Sequence, residues 1–266
     1  MQRLKTTRVL LSLSLSCCSF YNHTFYKYST DLSKHYDNVI PKDYPEIRSA
    51  WIKTNYKFND TINTRLVKGI EVGNLKEKEF NAFLLPDLIY LKNLAIFLNN
   101  RSKIDTNQDV KKILKDRSNM FMQSYNNYAF KFQNIEQQSI DGDPLISNHF
   151  KYLNSLSNNE LIIAMLPCMA NFRAIGLYLD DKVPKNSEWR WFVDRRVRPE
   201  LVSVLNDFSK QANDQIVQKT VSPNRTLDIL EKNIDFDNNF INESMSNKTA
   251  IAIKNKNVPR GTFGKI

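Results

Sequence analysis

The chain is poor in the residues that form tight turns. Its 266 residues include only 6 glycines and 9 prolines. A β-sandwich or β-barrel needs many tight corners, and these residues usually supply them, so the shortage argues against an all-β fold. The 41% hydrophobic and 25% charged residues are close to globular averages, which excludes a disordered or collagen-like chain. The composition therefore favours a helical globular protein.

Histidine is also scarce, which limits metal and haem chemistry. The three histidines are His23, His35 and His149, and none belongs to a Glu-x-x-His pair. A di-iron site in a helical bundle needs such pairs. A haem site needs a well-placed proximal histidine, whereas His35 precedes the first helix that the sequence predicts. No glycine-rich phosphate-binding loop occurs either, so we expect no metal and no cofactor.

The three cysteines are unevenly distributed. Cys17 and Cys18 lie in the first thirty residues, which contain four basic residues, many serines and threonines, and no acid. This composition is typical of a mitochondrial presequence, although the short apolar stretch 9–20 also fits a secretory signal. Without this leader Cys168 is the one remaining cysteine, whereas a secreted protein of this size usually has disulfides. The sequence thus predicts a cleavable leader over residues 1–30 and favours the mitochondrion over secretion.

Positive charge is concentrated at the two ends of the chain. The formal net charge is +10, but residues 1–30 contain four basic residues and residues 247–266 contain five, with no acid in either segment. The body between them holds 29 basic and 28 acidic residues. Nucleic-acid binding normally needs a clustered basic face, which a nearly neutral body does not predict. We expect no nucleic-acid partner, no membrane span, and a basic flexible tail over residues 247–266.

Apolar residues recur through the body with the 3.6-residue period of an amphipathic helix. The predicted helices cover about 45–69 with a break near Asn59, 76–99, 107–137, 143–156, 159–181, 186–218 and 224–246. Short polar connectors separate them, as antiparallel neighbours in a bundle require. The sequence therefore predicts one all-α domain over residues 45–246, a multi-helical bundle of about seven or eight helices.

Three chemically reactive residues fall on inward stripes of three different predicted helices. They are Asp87, Cys168 and Asp237. A buried carboxylate must be paired or hydrogen-bonded, and Tyr90 shares the face of Asp87 as a candidate partner. Each also has a plainer interpretation, namely a salt bridge or cap for Asp87, inert packing for Cys168 and a surface position for Asp237. Together, two acids and a thiol are the minimum set for nucleophilic and acid–base catalysis.

Three motifs resemble the TenA/thiaminase II family, whose members are all-α proteins of heme oxygenase-like fold. The first comprises residues 70–75 and the aromatic and acidic positions that follow, up to Tyr90. The second is 165–168 (Met-Leu-Pro-Cys), followed by Ile175 and Gly176. The third is 236–240 (Phe-Asp-Asn-Asn-Phe). Their order and spacing extend over the whole predicted body. The resemblance implies a single heme oxygenase-like bundle that forms a homo-oligomer.

The resemblance also implies roles for site residues. Cys168 corresponds to the nucleophile that adds to a pyrimidine ring, and Asp87 to the carboxylate that binds and protonates an aminopyrimidine. Tyr90 and Phe172 correspond to residues of the substrate pocket, and Asp237 to a second catalytic carboxylate. The implied function is the hydrolysis of an aminopyrimidine or thiamine fragment in thiamine salvage, with a small pyrimidine as substrate.

The chain departs from the family pattern at four positions. Phe172 stands where a tyrosine is expected, and Asp237 where a longer glutamate is expected. Ile241 replaces a tryptophan and Pro86 replaces a glutamine. A displacement of about 1 Å can lower a rate by about 10²-fold, so the shorter Asp237 alone can silence an uncompensated site. Two hypotheses stay open: an active hydrolase, and a catalytically degenerate bundle that serves as a binding or assembly protein in the mitochondrion.

Overall fold

The structure, a computed structural model, describes residues 33–130, 132, 135 and 143–246. Within these residues the regular elements are helices, and no strand is present. The prediction of an all-α fold is therefore confirmed. The predicted leader over 1–30 and the predicted tail over 247–266 lie outside the described residues and stay predictions.

The helices of the described ranges follow one another with short connectors. They are α1 (Pro45–Lys53), a 3₁₀ turn (Asn55–Lys57), α2 (Phe58–Ile62), α3 (Arg65–Glu71), α4 (Glu77–Ile104), α5 (Gln108–Ala129), α6 (Pro144–Ser155), α7 (Asn158–Ala164), α8 (Leu166–Asp180), α9 (Arg190–Val197), α10 (Pro199–Val217) and α11 (Pro223–Ser246). Residues 33–37 are also helical.

Three of the predicted helices are divided in the structure. The region 45–69 contains α1, the 3₁₀ turn, α2 and the start of α3, so Asn59 lies within α2 and the helix is interrupted at Thr54 and at residues 63–64 instead. Arg198 separates α9 from α10 in an extended conformation, because the α conformation is disfavoured before Pro199. The predicted helix 159–181 is divided at Met165, which ends α7, so that Pro167 lies in the first turn of α8. Proline is favoured there because its missing N–H has no helical partner to lose.

The long helices α4 and α5 form an antiparallel pair joined by residues 105–107. The Asn107 side chain caps α5 by accepting a hydrogen bond from the backbone N–H of Asp109 at 2.9 Å. The apolar residues of α4 that the sequence places inward, including Phe80, Phe83 and Leu98, are buried. Helix α11 crosses the bundle and packs against α1, α3, α4, α6, α7 and α8, which gives one continuous core.

The segment before α1 packs on the same core. The ring of Tyr36 stacks on Trp51 with 4.2 Å between ring centroids, and its hydroxyl lies 2.8 Å from Thr54 Oγ1. The indole N–H of Trp51 donates to the backbone carbonyl of Tyr36 at 3.0 Å. Residues 33–44, which precede the predicted domain start at 45, thus belong to the folded bundle.

Two helical stretches, Glu77–Ile104 and Asn158–Asp180, are long and apolar enough to cross a membrane by length and composition alone. In this fold they are core elements, with 50% and 72% of their most apolar parts buried inside the protein. Burial in the core accounts for their apolar length. They also carry Asp87 and Cys168, and so they position two of the predicted site residues.

Candidate active site

A cavity of about 380 Å³ lies between α4, α5, α8, α9 and α10. Its inner wall is apolar and includes the buried side chains of Phe80, Phe83, Leu88 and Phe121. A volume of this size falls within the range of small-molecule sites, and an apolar wall with few polar groups is their usual composition. The cavity is therefore a candidate small-molecule site.

Cys168 lies in the first turn of α8 and lines this cavity. The residue also lines a second, smaller cavity of about 20 Å³ that adjoins the first. A helix N-terminus ordinarily lowers a thiol pKa, but here burial raises the pKa of Cys168 well above its usual value. The charges of Asp237 and Asp87 raise this pKa further, and the charge of Arg196 lowers it. The thiol is accessible to a ligand in the cavity and is protonated at neutral pH.

Asp87 extends from α4 onto the same cavity wall. Its side chain is half-buried, because part of its surface faces the cavity. Removal from bulk water raises the pKa of Asp87 to about 7, although the nearby Arg196 acts in the opposite direction. At neutral pH this carboxyl group therefore exists in both protonation states and can donate or accept a proton.

Asp237 on α11 lines neither of the two cavities. A hydrogen bond from the side chain of Asn171 favours its charged form, but burial dominates and, with the charge of Asp87, raises the pKa of Asp237 to about 8. Its Oδ2 atom is buried and has no hydrogen-bond partner among the described residues. The negative charges of Asp237 and Asp87 both raise the pKa of Cys168, so the two acids and the thiol interact electrostatically as one cluster.

The two predicted pocket residues lie on opposite sides of Cys168. Tyr90 is buried, lines the smaller cavity and packs against Phe236 at 5.2 Å between ring centroids. Phe172 follows Cys168 by one helical turn and lines the larger cavity. The structure thus brings Asp87, Cys168 and Phe172 to one cavity and places Tyr90 in the smaller cavity that Cys168 also lines. Asp237 lines neither cavity, but its charge acts on Cys168.

The sequence prediction did not include Arg196, which lies against this cluster. Its guanidinium carbon is 3.3 Å from the ring centroid of Phe192 and 4.9 Å from that of Phe172. Nη1 donates to the carbonyl of Phe192 at 3.0 Å, while Nε is buried without a hydrogen-bond partner among the described residues. Arg196 can occupy this position because residue 176 is a glycine, since a Cβ on residue 176 would lie 2.5 Å from the Cβ of Arg196. The signal in the sequence is the run of three arginines in residues 195–198.

The arrangement combines the groups that nucleophilic and acid–base chemistry need. A thiol and a carboxyl group with a near-neutral pKa line the same cavity, and the charge of a second carboxyl group acts on the thiol. Perturbed acids of this kind are concentrated at functional sites. Among the described residues, no group of three or more His, Cys, Asp or Glu side chains is placed to hold a metal ion.

Comparison with known proteins supports the fold. No family model and no curated protein matches the chain. The X-ray structure of a TenA homologue from Pyrococcus furiosus matches it with a TM-score of 0.60, covering 74% of this chain and 98% of that protein. The two sequences are 13% identical, so the likeness concerns the fold. The chain therefore has a TenA-like helical fold, and the heme oxygenase-like bundle predicted from the motifs is confirmed.

Proposed function

We propose that the protein is an aminopyrimidine hydrolase of the thiaminase II type, in which Cys168 is the nucleophile. The observation that carries this proposal is that Asp87 and Cys168 line the inner end of one small-molecule cavity, with Tyr90 and Asp237 next to the thiol. Three helices contribute these groups, and a simple apolar bundle has no reason to bury them together. The TenA-like fold supports the same substrate class.

Asp87 is the group that recognises the ring in this proposal. An aminopyrimidine presents a ring nitrogen beside an exocyclic amino group, and a protonated carboxyl group can donate to the first while accepting from the second. With a pKa of about 7, Asp87 supplies this form at neutral pH without a large cost. The rings of Phe83 and Phe172, 6.3 Å apart between centroids, provide aromatic surface for the ligand.

The proposed reaction exchanges the amine of an aminomethylpyrimidine for a hydroxyl group. Cys168 sulfur bonds to the ring carbon next to the one that bears the methylene, while its proton passes to the Asp237 carboxylate and Asp87 protonates the ring nitrogen. The electron pair then expels the amine, which takes the proton held by Asp237 and leaves as ammonia. Water adds to the methylene and gives its second proton to Asp237. The carbon–sulfur bond then breaks, Asp87 takes back its proton from the ring nitrogen, and Asp237 returns a proton to the sulfur of Cys168. The net change consumes one water and releases one ammonia.

Because its pKa is raised, the thiol needs a base that takes its proton and a positive charge that stabilises the thiolate, and two neighbours supply these. Asp237, with a pKa of about 8, retains a fraction of carboxylate at neutral pH and is the base of the proposal. The charge of Arg196 lowers the pKa of Cys168 and stabilises the thiolate once it has formed. A base with a pKa near the working pH is the favourable case for such a transfer.

The test is ammonia release from 4-amino-5-aminomethyl-2-methylpyrimidine by the purified protein at micromolar enzyme concentration. The proposal predicts ammonia and the corresponding alcohol in equal amounts. The matched control is Met169→Leu, which changes a neighbouring cavity residue with little change in volume and retains the thiol. Absence of both products with the wild-type protein, under conditions where the ligand is shown to bind, contradicts the hydrolase.

A second candidate is a ligand-binding bundle without turnover. The raised pKa of Cys168 and the phenylalanine at position 172 favour it, because both weaken nucleophilic chemistry relative to the family pattern. This candidate predicts that an aminopyrimidine binds in the cavity and is recovered unchanged. Calorimetric titration followed by analysis of the ligand distinguishes the two candidates in one experiment.

The cellular setting is part of the proposal and depends on the sequence alone. We propose that the acid-free residues 1–30 direct the protein to the mitochondrion and that the mature chain begins near Ser29. We also propose a homo-oligomer on the basis of the family resemblance. N-terminal sequencing of protein from its native cells and light scattering of the purified chain test these two statements.

A further inference from the structure

Helix α9 carries arginines of two kinds. At its start, Arg190 pairs with the carboxylates of Asp180 and Asp194 and donates to the carbonyl of Val183 at 3.1 Å. At its end, Arg195 and Arg196 have no carboxylate within 4.0 Å among the described residues. The first arginine is neutralised by its surroundings, whereas the other two leave positive charge beside the cavity.

The unneutralised arginines lie on the route from the cavity to solvent. Arg195, Arg196 and Arg198 all line the cavity, and Arg198 is exposed at its outer end together with Gln123 and Glu200. We call Arg195 and Arg198 the arginine rim, since Arg196 lies deeper, against Phe172. The acid of this outer end, Glu200, is 75% exposed and lies 4.0 Å from Arg198, so it neutralises the rim only weakly.

The three arginines act on one another electrostatically. Burial and the charge of Arg195 lower the pKa of Arg196 to about 9, and burial and the charge of Arg198 lower the pKa of Arg195. Like charges this close destabilise the empty cavity. An anion placed among them removes the repulsion and accepts charge-assisted hydrogen bonds, which arginine forms well with phosphate and carboxylate groups.

Helix α5 contributes further polar side chains to the same cavity. Asn127 lines the cavity with its side-chain amide, and Ser124 lines it with a hydroxyl that donates its proton to the carbonyl of Met120 at 3.1 Å. The ring of Tyr128 also lines the cavity, and Arg195 lies over this ring at 4.7 Å. Hydroxyl, amide and guanidinium groups therefore surround the outer half, while the inner half holds Asp87 and Cys168 among aromatic rings. The two halves fit a ligand with a neutral heteroaromatic head and an anionic tail.

We propose that the arginine rim binds a phosphate group on the leaving-group side of the substrate, so that the preferred substrate is a phosphorylated aminopyrimidine conjugate. This inference rests on the proposed function, because it takes the pyrimidine to lie at Asp87 and Cys168. The ring then fills the inner half, the reacting methylene lies beside the thiol, and the leaving group extends along the cavity to the rim. Release of the leaving group needs no movement of the ring.

The experiment compares thiamine with thiamine monophosphate, which share the pyrimidine and differ by one phosphate on the leaving group. Binding is measured by calorimetry on the 266-residue chain with Cys168→Ser, so that the ligands bind without turnover, at about 0.1 M ionic strength. We expect the monophosphate to bind about 10-fold or more tightly than thiamine. Arg195→Gln and Arg198→Gln should each reduce this ratio about 3-fold or more, and Arg195→Lys should restore part of it.

The matched control is Lys112→Gln, which removes one exposed charge from α5 away from the cavity and should leave the ratio unchanged. Circular dichroism of each variant checks that it is folded. A ratio near one in the parent chain, or a ratio unaffected by both rim substitutions, overturns the inference. In that case ammonia release from the unphosphorylated aminomethylpyrimidine still decides the proposed function separately. If the protein binds inorganic phosphate through these arginines but binds no aminopyrimidine, the ligand is not a phosphorylated aminopyrimidine conjugate and the inference is wrong.

Discussion

Two polar clusters lie next to each other inside the bundle and differ in how their hydrogen bonds are satisfied. In the amide cluster, Thr61 Oγ1 donates to Asn238 Oδ1 at 2.8 Å and lies 3.4 Å from Asn171 Oδ1, and all three side chains are buried. In the acid–thiol cluster, Asp87, Cys168 and Asp237 retain accessible surface, and their pKa values are raised. Satisfied buried groups stabilise a fold, whereas perturbed groups on a cavity are poised for chemistry.

The two clusters are in direct contact through adjacent residues. Asp237 and Asn238 are neighbours on α11, and Asn171 hydrogen-bonds with Asp237 while its carbonyl oxygen lies near Thr61. The amide cluster therefore holds the second acid in place from behind. The comparison predicts that substitutions in one cluster change activity and those in the other change stability.

The largest effect is expected from Cys168→Ser. Serine is nearly isosteric, but its hydroxyl is a much weaker nucleophile than a thiol and gives up its proton less readily, so ammonia release should fall by about 10³-fold or more. The melting temperature should stay close to that of the wild type, because the change leaves little empty volume. Equal ammonia release by the variant would remove Cys168 from the proposed mechanism.

The two acids should differ in their effect on turnover. Asp87→Asn removes a proton donor that lines the cavity and should lower turnover by about 10²-fold or more. Asp237→Asn should also lower turnover, but by a smaller factor, because Asp237 is shorter than the glutamate of the family pattern and is therefore a less effective base. The exposed Asp116→Asn is the matched control and should have no effect.

The rate at which iodoacetamide alkylates Cys168 gives a second measurement on the same variant. Asp87→Asn removes a charge that raises the pKa of Cys168, so alkylation at pH 8 should be faster in the variant than in the wild type.

The amide cluster should give the opposite pattern. Thr61→Val keeps the shape of the side chain but leaves the buried Asn238 oxygen without its donor, at a cost of about 1–3 kcal/mol in the free energy of unfolding. Turnover per folded molecule should remain that of the wild type. The exposed Thr106→Val should change neither quantity. A loss of activity in Thr61→Val without a loss of stability would erase the distinction between the clusters.

The smallest effect concerns the dependence of stability on pH. The pKa of Asp87 rises from 3.8 in the unfolded chain to about 7 in the fold, so the folded protein binds the extra proton between these values. The stability that this proton contributes is fully present below about pH 4 and is lost as the pH rises through 7. From pH 5 to pH 8 the melting temperature of the wild type should therefore fall more than that of Asp87→Asn. A parallel fall in both proteins would show that Asp87 titrates normally.

Periodicity predicted the inward positions, because a helical stripe fixes which side chains face the core. It placed Asp87 and Cys168 correctly toward the interior of the bundle, where both line the cavity. It could not place Arg196, since a run of charged residues is usually a solvated face. The inward position of Arg196 depends on the close approach of α9 to Gly176, a tertiary contact that local spacing does not contain.

Protection of Cys168 from alkylation tests the central claim most directly, namely that an aminopyrimidine occupies the cavity against this thiol. The wild-type protein is treated with iodoacetamide at pH 8 with and without the aminomethylpyrimidine, and peptides are mapped by mass spectrometry. The account predicts slow labelling of Cys168, because its pKa is raised, and a further decrease of about 10-fold at saturating ligand, with unchanged labelling of Cys17 and Cys18. Labelling of Cys168 at the same rate with and without saturating ligand would contradict it.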